Sequence, residues 1–74
     1  MKEKILSLLM EINEEIGEYE GESMLEDEII TSLEVIEIVS ALEDEFGITI
    51  SAKNISKANF ATVDSICEMV ESLQ

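Results

Sequence analysis

Residues 31–47 read Thr31-Ser32-Leu33-Glu34-Val35-Ile36-Glu37-Ile38-Val39-Ser40-Ala41-Leu42-Glu43-Asp44-Glu45-Phe46-Gly47, and this stretch decides the fold. Val35, Ile38, Val39, Leu42 and Phe46 recur at spacings of three and four, the stripe of a helix that buries one face. Thr31 and Glu34 have the spacing of a capping box, in which the threonine oxygen accepts from the N3 amide and the glutamate reaches back to the N-cap amide. Gly47 stops the helix. The spacing therefore predicts a helix from about Ser32 to Phe46, with Ser32 as its first residue and free of capping duty. Leu33, Glu37, Ser40 and Asp44 fall on a different face, a polar strip with one exposed leucine at its top.

Outward from this helix the chain continues to read as helical. Ile5, Leu8, Leu9, Ile12 and Ile16 form an N-terminal stripe, which Gly17 is expected to close as a C-cap. Residues 17–30 lapse into an acidic loop, pinned over the core by Met24, Leu25, Ile29 and Ile30; its length in so small a chain marks a functional segment. Ile48-Thr49-Ile50 alternates like a strand but is short and has no partner, so it reads as an extended connector whose isoleucines plug the core. Ser51 caps a short helical turn through about Lys57, with Ile55 expected to face inward. Thr62 caps a last helix carrying Val63, Ile66, Cys67, Val70 and Leu73. The expectation is an all-α bundle of four helices, three main and one short, in one domain spanning 1–74.

Composition narrows the function. Seventy-four residues make a single small core, in a size range where roughly 60% of the unfolded surface is buried. The formal charge is −14, with 18 acidic residues against four lysines, so nucleic acid and anionic membrane surfaces repel the chain. Proteins with basic patches are its natural partners, the plainer alternative being that acidity only confers solubility. Cys67 is the sole cysteine; it permits no internal disulfide, fits a reducing compartment and lies on an apolar face. The apolar stretch Ile5 to Met10 is broken by Ser7 and Glu11 and lacks a cleavage signal, and no segment approaches the ~20 apolar residues that span a bilayer. A monomeric cytoplasmic protein is expected.

Chemistry converges on Ser32. There is no histidine in the chain, and neither Cys67 nor Tyr19 has an arranged base, so no catalytic residue is assigned and an enzyme acting alone is the least favoured class. Carboxylates around Ser32 (Asp27, Glu28, Glu34 and Glu37) do not lower a hydroxyl pKa. A serine at the positive end of a helix dipole, where backbone N–H groups can hold a phosphate, reads as an attachment point whose base and metal come from another protein. The acidic loop Glu18 to Glu28 lacks the ligand pattern of a calcium loop, and no metal site is assigned.

The run from Asp27 to Ile48 resembles the acyl carrier protein family, in which an Asp-Ser-Leu motif opens the second helix. Helix 1, the acidic loop, Ser51 to Ile55 and the Thr62-Val63 helix start all fall in the family's order. The resemblance implies that Ser32, flanked by Thr31 and Leu33, receives 4′-phosphopantetheine from coenzyme A through a separate phosphopantetheinyl transferase. The prosthetic thiol then holds an acyl or aminoacyl thioester for loading and transferring enzymes. It further implies docking of their basic surfaces at Leu33, Glu37, Glu43 and Asp44, with Glu34 on the same helix included. Thr31 stands where the family has aspartate, Ile29 and Ile30 where many fatty-acid-type carriers have small residues, and Ser40 where a larger apolar residue is common. These departures look more like a dedicated carrier, similar to discrete D-alanyl or secondary-pathway carriers, than the housekeeping carrier of fatty acid biosynthesis. The alternative is an acidic adaptor with the carrier fold and no prosthetic group. Periodicity assigns Ile36, Ile48 and Ile55 either to an acyl cavity among the helices or to tightly packed core.

Overall fold

The first helix, α1 (Lys2–Ile12), ends one turn earlier than its apolar stripe suggests. Asn13 is extended rather than helical, and its side-chain oxygen accepts from the Glu15 amide to cap a separate 3-10 helix, Glu14–Glu18. An asparagine side chain that can serve the backbone outside a helix competes with helix continuation. Ile16 nonetheless reaches the core and is buried, because the tighter 3-10 winding keeps it on the inner face. Gly17 is therefore not the expected C-cap but a residue inside the 3-10 helix, where an added Cβ would press into the Met10 side chain.

The computed structural model of the chain describes all 74 residues. Helix α2 (Ser32–Phe46) has the expected bounds, the Thr31–Glu34 capping box at its start and Gly47 in the left-handed region (φ 61°) at its end. Val35, Ile38 and Leu42 are buried, while Val39 and Phe46 pack half-buried against the core. Residues 48–50 form no strand; Ile50 is buried and Ile48 packs at its edge. Helix α3 (Val63–Leu73) starts at Thr62, whose hydroxyl oxygen accepts from the Ser65 amide at 3.1 Å. Ile66, Cys67, Met69 and Val70 are its buried face.

Two connecting segments differ from expectation. The short helical turn spans only Ala52–Asn54, a 3-10 turn whose Asn54 side chain folds back to accept from the Ser51 amide at 3.1 Å. The backbone becomes extended at Ile55, which turns outward and is 43% exposed rather than facing inward. The long loop is fixed in place: the Met24 amide donates to the Ala61 carbonyl, and the Met24 carbonyl accepts from the Ile29 and Ile30 amides. Met24 and Ile30 are buried there.

Helix α1 packs on both α2 and α3, and the core they share is wholly apolar, with no buried polar or charged residue. Phe60, fully buried, fills it from the segment between the 3-10 turn and α3. At the surface Lys2 pairs with Asp64 of α3 at 2.7 Å, and Lys4 pairs with Glu45 of α2 at 2.6 Å while lying over the Phe46 ring. The fold is all-helical, with three main helices and the short fourth element reduced to a single 3-10 turn.

Candidate functional site

The start of α2 is held by a small polar network. Thr31 is extended (φ −102°, ψ 169°); its oxygen accepts from the Glu34 amide at 3.2 Å, and its own amide donates to Glu34 Oε1 at 3.0 Å. Asn13 joins this box from the end of α1, donating through Nδ2 to the Ile29 carbonyl at 2.7 Å and to the Glu34 carboxylate at 3.3 Å. One asparagine thus ties α1, the loop and the helix start together.

Ser32 follows as the first helical residue, exposed to solvent, and its hydroxyl makes no hydrogen bond to protein. The amides of Ser32 and Leu33 have no acceptor in the protein, since the capping box serves Thr31 and Glu34. Two unsatisfied donors beside a free hydroxyl, at the positive end of a helix of 15 residues, fit a phosphodiester on that oxygen.

Along α2 the strip Leu33, Glu37, Ser40 and Asp44 is exposed, with Leu33 at 70%. Glu34 and Glu43 are engaged elsewhere. Glu34 closes the capping box, and Glu43 Oε2 accepts from the Ile50 amide at 2.8 Å, so both carboxylates are half-buried and hold backbone. The capping role of Glu34 is the one its spacing from Thr31 predicts, whereas the bond from Glu43 to the Ile50 amide has no signal in the spacing.

Ile36 is 61% exposed and, with Ile55, forms part of an open groove that begins at Ser32. The groove has a volume of about 540 Å³; Leu25, Val35 and Phe60 complete its apolar wall, and Ser56 and Lys57 its polar rim. Ile48 is not among these residues and packs against the core instead, so the three isoleucines do not share one cavity. The groove lies at the surface, between α2 and residues 55–60, rather than inside the bundle. Leu25, Phe60 and Lys57 were not assigned to it from sequence. Ile36 carried a readable signal, as an isoleucine on the flank of the α2 stripe.

Away from the helix start, the Tyr19 hydroxyl donates to Asp27 at 2.6 Å and accepts from the Ser23 amide, strapping the loop. Desolvation and that bond to Asp27 raise the phenol above its ordinary range. Burial, then the nearby Asp64 charge, raises the Cys67 thiol, which lies in the core. No three metal-ligating side chains converge on a common point, and no helix is long and apolar enough to cross a membrane.

The helical bundle presents a free serine hydroxyl at the first residue of α2. The family model of the phosphopantetheine attachment site matches residues 4–70, and the chain belongs to this family. Its prosthetic group is 4′-phosphopantetheine, and its members act as carriers that work with partner enzymes. No protein of curated function matches the chain significantly.

Proposed function

We propose that this chain is a single-domain carrier in which Ser32 bears 4′-phosphopantetheine through a phosphodiester and presents an acyl or aminoacyl thioester to partner enzymes. When bound, the group supplies a terminal thiol on a flexible arm. The chain's own residues do the rest. Thr31 and Glu34 fix the helix start, the Ser32 and Leu33 amides would hold the phosphate, and the exposed Leu33, Glu37 and Asp44 would meet basic partner surfaces, where charge mainly sets on-rate and partner choice. Glu34 and Glu43 support this face from beneath by holding Thr31 and Ile50. Chemistry on the cargo belongs to the partners, since no base stands beside Ser32. The departures at Thr31, Ile29, Ile30 and Ser40 favour a dedicated pathway, D-alanyl or secondary-metabolic, over bulk fatty acid synthesis, in the cytoplasm.

The observation that carries the proposal is the exposed, unbonded hydroxyl of Ser32 beside two amides without acceptors. Incubation of the apo-protein with coenzyme A, Mg²⁺ and a broad-specificity transferase is expected to add one prosthetic group by intact mass, and Ser32→Ala to abolish the addition. An unchanged mass with wild-type protein would favour the second reading, an unmodified acidic adaptor. That reading draws on Leu33 and Ile36, two exposed apolar side chains on the acidic helix that suit protein docking with or without an arm.

A further inference from the structure

Four lysines serve a chain with 18 carboxylates, and they are not equivalent. Lys2 and Lys4 are paired to Asp64 and Glu45 and staple α1 to its neighbours. Lys53 and Lys57 form no ion pair, and of these two only Lys57 lines the groove that begins at Ser32. Every other side chain lining that groove is uncharged. In a molecule of charge −14, a groove whose one charged side chain is a lysine is a place where a bound anion meets less repulsion than over the acidic surface around it.

We propose that Lys57 is the counter-ion of the phosphodiester carried by Ser32, and that it draws the first part of the prosthetic arm across the groove mouth toward residues 55–60. This rests on the attachment reading above. The phosphodiester bears one negative charge that the Ser32 and Leu33 amides meet from the α2 side. Lys57 meets it from the other wall, with Ile36 and Ile55 offering apolar surface to the arm between them. A lysine suits the task because its compact ammonium, on a flexible stem, forms and releases such a contact easily. The consequence is a reversible parking position, held while the carrier is free and given up when a partner with stronger basic groups docks on α2. An exposed ion pair of this kind shifts occupancy by only about 1.5- to 5-fold, enough to bias the arm without trapping it.

The test is phosphorus NMR of the loaded protein, after intact mass has established that one prosthetic group is present. Transverse relaxation of the phosphodiester signal is expected to slow in Lys57→Gln relative to wild type, to be retained in Lys57→Arg, and to be unaffected by Lys53→Gln. Added salt is expected to bring wild type to the Lys57→Gln value, which separates loss of the ion pair from any effect of the substitution on folding. Equal relaxation in wild type and Lys57→Gln, an equal change in Lys53→Gln, or no response of wild type to salt would overturn the assignment of Lys57 while leaving attachment intact. Failure to load any prosthetic group would overturn the attachment reading itself, and the proposal with it.

Discussion

Thr31 is the residue on which the helix start depends most directly. Removing its oxygen in Thr31→Ala leaves the Glu34 amide unpaired and is expected to cost about 1 kcal/mol of stability, measured by urea denaturation. Thr31→Asp keeps a capping oxygen and adds charge at the favourable end of the dipole, so its stability should match or exceed wild type. Under the proposed function it should also be loaded faster by a transferase that reads an acidic residue before the serine. Glu28 has a positive φ of 59°, a conformation that strains residues with a Cβ. Glu28→Gly relieves that strain against a greater loss of chain entropy on folding, for an expected gain of up to about 1 kcal/mol; a loss of stability would show that the loop does not hold this geometry in solution. Cys67 is the corresponding negative control. Buried and with a raised pKa, it should react with a thiol reagent only on the timescale of unfolding, so that loading at Ser32 adds one fast thiol to a slow background.

At the scale of elements, α2 was legible because every signal that defines it is local: a capping box at its start, a glycine at its end, and an apolar stripe between. α3 was legible for the same reason, although Met69, which fits the stripe three residues after Ile66, was passed over. The connecting segments were not legible. Asn13 leaves α1, caps the 3-10 helix and bonds across 16 residues to Ile29, and nothing in its neighbours announces the distant partner. Phe60 follows the run Ser56-Lys57-Ala58-Asn59, without periodicity, yet is fully buried; only the assembled bundle shows the space it fills. Ile55 was misplaced because the turn at Ala52–Asn54 ends after three residues and reverses its direction. The exposed serine at the start of α2 was legible from its helix position, whereas the groove beside it required three segments to be brought together. Asn13→Ala should therefore cost more than an ordinary surface substitution, about 1–2 kcal/mol, because it removes a cap and a link to the site at once. Stability of Asn13→Ala equal to wild type in urea would mean that the capping box stands without it.

For the whole molecule, three groups hold their protons more tightly than usual, and all three act in one direction. Asp64 raises Lys2 above its usual 10.5, chiefly through their hydrogen bond. Desolvation raises Tyr19 above 10.0, and burial raises Cys67 above 9.0. A group whose pKa is higher folded than unfolded binds its proton more tightly in the folded state. Its contribution is complete below the unfolded pKa and is lost as pH rises through the folded one. Thermal stability is accordingly expected to fall as pH climbs above about 9 to 10, with Tyr19→Phe flattening part of that limb. A melting temperature flat to strongly alkaline pH would contradict this. The charge of −14 acts on the same compact state by self-repulsion, which salt screens over a Debye length of about 10 Å at 0.1 M. The melting temperature should thus rise between low and moderate ionic strength, and a constant value would mean that the carboxylates are too dispersed to strain the fold. Under the proposed function this acidic body presents one hydroxyl for modification, and fragmentation mass spectrometry of the transferase-treated protein tests that directly. The account predicts a single prosthetic group localised to Ser32; a group found on another residue, or none on wild-type protein, would contradict it.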